Sequence, residues 1–224
     1  MTNKRCARLC QSLQSYLETH KGMLFATQHR DKKLKRQFCL KGSFKVGTGS
    51  SQVGNKQHIG KKPGFKRHNF KNTAVYVTSV ENQYHARKIN EQQLMAYRMA
   101  SRIIESVDPD FAGGEYEVNF SLMDSGKHYV KKHKDLKDIT HQYALGLGQY
   151  SGAKLRVWSH GESIIQDFDY RHKILKLDGR NSHELITTGF QGERFTVIWY
   201  KGYDHRMAQV DPICDTPEIV FDFS

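Results

Sequence analysis

Residues 173–200 read KILKLDGRNSHELITTGFQGERFTVIWY. Three short apolar or alternating runs, KILKL, ELITT and RFTVIWY, are separated by Asp, Gly, Asn and Ser, which favour turns. Runs of this length, rich in Ile, Val, Thr and aromatic residues, suit strands and are too short for helices. The same texture extends outward in both directions. EYEVNFSL (115–122), ITHQYALGLG (139–148), KLRVW (154–158) and SIIQDF (163–168) precede this stretch, and EIVFDF (218–223) follows it. About eight short strands with turns between them predict an antiparallel sandwich or barrel.

Before Gly114 the period changes. Asn90 can cap a helix running to about Val107, with Leu94, Tyr97 and Ile104 on its buried stripe, and Asp108-Pro109 ends it. AVYVTSV at 74–80 predicts a further strand. At the N-terminus Cys6, Leu9, Leu13, Tyr16 and Leu17 share one helical face, so core packing is expected there. Cys6 and Cys10 with His20 fit no common zinc-finger spacing. The fold class expected is α+β, mostly β, with N-terminal helices supporting the strands.

A chain of 224 residues with 38% apolar and 26% charged residues can bury a sizeable core. It contains no apolar run long enough to span a membrane, and its first residues lack the apolar stretch of a secretory signal. Four cysteines are too few for a disulfide scaffold, so a reducing, intracellular setting, nuclear or cytoplasmic, is expected. The charge of +12 is unevenly placed. Residues 1–75 hold 17 Lys/Arg against Glu18 and Asp31, a balance of +15, while the remainder stands at −3. Such asymmetry suggests an arm attracted to a polyanion such as nucleic acid. The expected organisation is a basic extension over 1–72, with one amphipathic helix and a flexible loop at 47–64, and a catalytic domain over 73–224.

The chemistry-bearing residues lie among the strands. In His133-Lys134-Asp135 an imidazole and a carboxylate stand two apart, so in extended chain both project to one side. Fifty positions later His183 lies between KILKLDG and ELITT. Two imidazoles and one carboxylate on one face of iron leave positions free for a cosubstrate and oxygen. Arg194 opens RFTVIWY, and its planar fork can pair bidentately with a carboxylate. Thr196 is on the same strand face and can add a hydroxyl donor. His160-Gly161-Glu162 is a competing pair, but only 23 positions separate it from His183, too few for the strands of a barrel.

With HKD (133–135), LGQYSGAKL (147–155) and LDGRNSHELITTGFQGERFTVIWY (177–200), the chain resembles the 2-oxoglutarate/Fe(II) oxygenase superfamily. The nearer match is to the base-hydroxylating branch of ten-eleven-translocation and base-J-binding proteins. Asp138, Ala153 and Phe195-Thr196 depart from the pattern of that branch, and none is a metal or anchor position. The resemblance implies a double-stranded β-helix, or jelly-roll, barrel. It implies His133, Asp135 and His183 as iron(II) ligands and Arg194, helped by Thr196, as the anchor of 2-oxoglutarate. With O2 as oxidant, it implies hydroxylation of a C–H bond, foremost the methyl of thymine or 5-methylcytosine in a nucleic acid. Hydroxylation of a protein side chain or small metabolite, and a non-catalytic binding domain on the same scaffold, are the alternatives.

Overall fold

The computed structural model describes residues 3–25, 40–47, 90–124, 130–136, 138–159, 161–202 and 216–224, of 40–47 the backbone alone. The strand expected at 74–80, the boundary near residue 72 and nearly all of the loop at 47–64 lie outside that set.

Helix α1 (Asn3–Leu24) buries Cys6, Cys10, Leu13, Leu17 and Leu24 along one face. Both cysteines are therefore core residues. Helix α2 (Glu91–Val107) starts where its cap is written. Asn90 accepts the Gln93 amide at 2.8 Å, and the Gln93 side chain accepts the Asn90 amide at 3.1 Å. The same two side chains donate to the carbonyls of Met23 and Leu24, which the end of α1 would otherwise leave unpaired. Asp108 closes α2 and caps the short α3 (Pro109–Ala112), accepting the Phe111 amide at 2.8 Å. No helix among the described residues is long and apolar enough to cross a membrane.

The remaining described elements are antiparallel strands, so the structure is mostly β. Six form one sheet in the order β1 (Leu40–Gly47), β2 (Glu117–Met123), β10 (Arg194–Tyr200), β3 (Gln142–Leu147), β7 (Lys173–Leu177) and β11 (Glu218–Asp222). A smaller sheet runs β6 (Ile164–Phe168), β5 (Lys154–Trp158), β8 (His183–Ile186). Two-residue β4 (Tyr150–Ser151) and β9 (Gln191–Gly192) pair with each other. The eight strands expected between 115 and 223 are present. β1, β4 and β9 were not foreseen.

The large sheet is covered on both sides. Phe195, Val197 and Trp199 of β10 join Phe120, Leu145 and Ile174 in one core with the α1 and α2 stripes. Through the twofold alternation of a strand, Arg194, Thr196 and Ile198 face the other way. On that inner side, Ala144 and Leu175 of the large sheet meet Leu155, Val157 and Phe168 of the small one. Met123, Tyr150, Ala153 and Leu185 form a neighbouring cluster between the same sheets. α1 and β1, both from the first 72 residues, thus pack on or pair with the sheet that carries Arg194.

Candidate metal centre

His133 and His183 lie directly opposite each other. Each accepts the other's backbone amide, at 3.0 and 2.9 Å, so residues 130–133 extend the small sheet along β8. Leu185 adds a bond to the Val130 carbonyl at 3.0 Å. Two residues on, the Asp135 amide donates to the Gly179 carbonyl at 2.7 Å, seating the carboxylate beside the turn that leads into β8. Glycine leaves room there: a Cβ on residue 179 would displace the Gln142 amide and approach Asp138 Oδ2 to 2.9 Å.

The donor atoms of His133, Asp135 and His183 all lie within 4.8 Å of one another. His133 Nε2 is 3.8 Å from one carboxylate oxygen of Asp135, and His183 Nε2 is 3.6 Å from the other. The opposite ring nitrogens are engaged. His133 Nδ1 lies 2.7 Å from the Lys131 carbonyl and His183 Nδ1 2.9 Å from that of Asn181. A carbonyl can only accept, so each Nδ1 carries a proton, and in the neutral ring each Nε2 presents a lone pair to the cluster. That is the tautomer a metal requires. Burial holds the His183 imidazole below its ordinary pKa; Asp135 opposes this and His133 reinforces it. The residues therefore fit a divalent cation bound by two imidazoles and a carboxylate.

The turn before His183 is shaped by a buried ion pair. Arg180 binds Asp178 through Nε at 2.8 Å and Nη2 at 2.6 Å, with both side chains almost fully buried. The Arg180 and Asn181 amides also bond Asp178, through its carboxylate and carbonyl oxygens, and this orients the Asn181 carbonyl that receives His183. Sequence reasoning assigned Asp178 and Arg180 no role, although the short polar run DGRNS before a ligand was a signal.

Arg194 and Thr196 are both buried on the inner face of β10. Arg194 donates to the Tyr170 hydroxyl, and its guanidinium carbon lies 5.0 Å from the Tyr170 ring centre and 5.7 Å from that of Tyr150. Gly146 makes room for this arrangement, because a Cβ there would come within 2.6 Å of Tyr150 Oη. Among the described residues Arg194 has no carboxylate partner, and its buried Nε makes no hydrogen bond. A buried cation without an anion is costly unless a ligand supplies one. Tyr150 and Tyr170 were not singled out from the sequence. Thr196 sits opposite Ser121 and Gly146 in the neighbouring strands.

A cleft of about 570 Å³ opens beside Asp135, lined also by Glu117, Asn119, Gln142, Ile198 and Tyr200. Tyr200 donates to Glu117. The competing pair is divided: His160 lies outside the described residues, and Glu162 lies outside the donor cluster. His141 stands 3.8 Å from Asp108 and lies outside the donor cluster. His172 packs on Phe223, while Arg171 donates to the Tyr150 carbonyl at 2.6 Å.

No protein-family model and no curated protein matches this chain. Solved structures do. A prolyl-4-hydroxylase from Pseudomonas putida aligns over 88% of both chains at 15% identity, with a TM-score of 0.43. An oxalate oxidase aligns over 39% of this chain and 42% of its own, at 9% identity and a TM-score of 0.33. An oxalate decarboxylase from Bacillus subtilis covers 39% of this chain and 21% of its own, at 10% identity and a TM-score of 0.31. This chain spans less than half of either oxalate enzyme. Likenesses this remote carry no activity across.

Proposed function

We propose that this protein is a 2-oxoglutarate- and iron(II)-dependent oxygenase that hydroxylates a C–H bond. One observation carries the reading: His133, Asp135 and His183 converge with both Nε2 lone pairs turned inward and both Nδ1 protons held by carbonyls. This donor set binds iron(II) and leaves coordination positions for other ligands. Iron so bound supplies the activation of O2 coupled to decarboxylation of 2-oxoglutarate. Arg194 supports the cosubstrate half of the proposal, since a dicarboxylate brings the anion that its buried guanidinium lacks. Tyr150 and Tyr170 hold that guanidinium in place, and Thr196 lies two residues along the same face.

The substrate we assign is the methyl group of a nucleic-acid base. The branch-like motifs around both ligand sites and the +15 balance of residues 1–75 support it. A base within a duplex must leave the stack to reach a buried metal. In the cleft beside Asp135, Asn119 Oδ1 is buried without a hydrogen-bond partner among the described residues. The exocyclic amine of 5-methylcytosine offers that oxygen a donor, and the amide nitrogen of the same side chain offers thymine O4 one in turn, so Asn119 accommodates either base.

The test is anaerobic binding of iron(II) and 2-oxoglutarate, followed by aerobic turnover with DNA, RNA and peptides. Succinate release with an oxidised base in the mass spectrum is the expected result. Succinate release with oxidised peptide instead moves the substrate to protein. Absence of metal and cosubstrate binding leaves the non-catalytic reading.

A further inference from the structure

Glu162 touches none of the proposed ligands, yet its carboxylate reaches both segments that carry the imidazoles. One oxygen accepts from Lys134 Nζ at 2.9 Å and from Ser182 Oγ at 2.9 Å; the other lies 2.5 Å from Lys132 Nζ. Lys132 and Lys134 flank His133, and Ser182 immediately precedes His183. The two histidines form a bonded antiparallel pair, so their chain neighbours project from the opposite face of that pair. Glu162 therefore sits behind the ligand pair, while the ring nitrogens converge in front.

Two further features hold the carboxylate there. Glu162 occupies the left-handed backbone region, with φ at 64°, in the turn between β5 and β6. A non-glycine residue adopts that conformation at a cost that its surroundings must offset. Its amide donates to the Ser159 carbonyl at 2.9 Å, and the Ser163 amide donates to Ser159 Oγ at 3.3 Å. Lys132 is fixed from a second side, its Nζ lying 4.3 Å from the centre of the Trp158 ring. The contacts from Lys132, Lys134 and Ser182 hold the Glu162 carboxyl down at about 2, so it is ionised throughout the useful pH range.

We infer that Glu162 is a positioning residue of the metal centre, tying the His133 segment to the His183 segment from behind and neutralising the two lysines beside them. The inference rests on the proposed metal site. Glu162 and both lysines are substantially exposed, and exposed ion pairs contribute little to global stability. The clamp's effect falls on the separation of the ligands and on the local field. Without Glu162 two ammonium groups stand uncompensated next to a site for a divalent cation.

Cobalt(II) titration of the full chain, without cosubstrate, reads this directly through affinity and visible absorption. Glu162→Ala is expected to weaken cobalt(II) about tenfold, at the lower end of the range for residues behind metal ligands, and to alter the absorption bands. Glu162→Gln keeps an acceptor and removes the charge, so it should fall between wild type and Glu162→Ala. The affinity gap should narrow as salt screens the lysines. Lys132→Met with Lys134→Met in the Glu162→Ala background should recover part of the loss. Wild-type cobalt(II) affinity and spectrum in a folded Glu162→Ala overturn the clamp, as does a lowered unfolding midpoint of the metal-free protein with unchanged cobalt(II) binding. Should Glu162→Ala fail to fold, the same two readouts on Glu162→Gln decide. Failure of the wild type to bind cobalt(II) instead removes the metal site, and the clamp with it.

Discussion

The two faces of β10 divide the labour of the molecule. Phe195, Val197 and Trp199 are apolar, fully buried and packed with the helices. Arg194 and Thr196, on the same strand, are just as buried but polar, and Arg194 has no anionic partner. Equal burial with opposite chemistry separates an apolar face that stabilises the fold from a face that carries the proposed anchor. Burial alone does not distinguish core from site. Unpaired charge does: the helix-facing side leaves one neutral donor unpaired, Trp199 Nε1, whereas the inner side holds a guanidinium without an anion among the described residues.

Substitutions at the ligands test the contrast most severely. His133→Ala, Asp135→Ala or His183→Ala is expected to reduce succinate release to background while the protein still unfolds cooperatively. Full turnover in Asp135→Ala would remove the carboxylate from the site. On the other face, Trp199→Ala deletes the largest fully buried side chain and should cost about 3–5 kcal/mol in denaturant unfolding. Metal binding by the fraction still folded should be unchanged; a cost under about 1 kcal/mol would show that the helix-facing layer is loosely packed.

Arg194→Ala sharpens the comparison. Loss of charged hydrogen bonds worth roughly 1.5–3 kcal/mol should weaken 2-oxoglutarate about ten- to a hundredfold by calorimetry. The metal-free protein should not lose stability, because the variant also removes a buried, uncompensated charge. A large drop in stability with unchanged cosubstrate affinity would make Arg194 a structural residue.

Asp108→Asn gives the smallest effect, at a helix junction away from the inner face. Burial pushes the Asp108 carboxyl up, but the Tyr143 hydroxyl and the Phe111 amide bind its charged form and leave it below its usual value. A carboxyl depressed by folding contributes stability above its unfolded pKa and loses it as pH falls through the folded one. Asp108→Asn keeps a cap oxygen but gives up the charged acceptor of the Tyr143 hydroxyl, and should therefore cost about 1 kcal/mol near neutrality. The difference from wild type should vanish as acid protonates Asp108. A gap that persists in acid would assign the effect to packing.

What the sequence made legible follows from the range of the interactions involved. α2 was readable to its ends because Asn90, Gln93 and Asp108 act within one turn of the chain. RFTVIWY was readable because its alternation spans a whole strand, β10. His133, Asp135 and His183, whose donor atoms the structure gathers, were singled out from residue type and spacing. Strands β4 and β9 were not, since two residues carry no period and their pairing depends on distant chain. Nor were Tyr170, reached by Arg194 across 24 positions, and the contact of Glu162 with Ser182 across 20, although Glu162 itself stood out as part of a competing pair. A side chain that works through a partner far along the chain leaves no local pattern.

The mutual backbone bonds of His133 and His183 also bear on the timing of unfolding. Fifty positions of chain separate these two residues, so the proposed ion-binding arrangement exists only once distant segments are in register. A cation that recognises only the finished arrangement stabilises it by mass action, about 2.7 kcal/mol at a hundredfold excess over its dissociation constant. If the two segments join after the rate-limiting step of folding, that energy slows unfolding and leaves the folding rate almost untouched. Denaturant-jump kinetics with and without cobalt(II) would show a displaced unfolding limb beside a superimposed folding limb. The metal would then act as a brake on the escape of the native state, and its loss would shorten the protein's lifetime before any change in fold became visible.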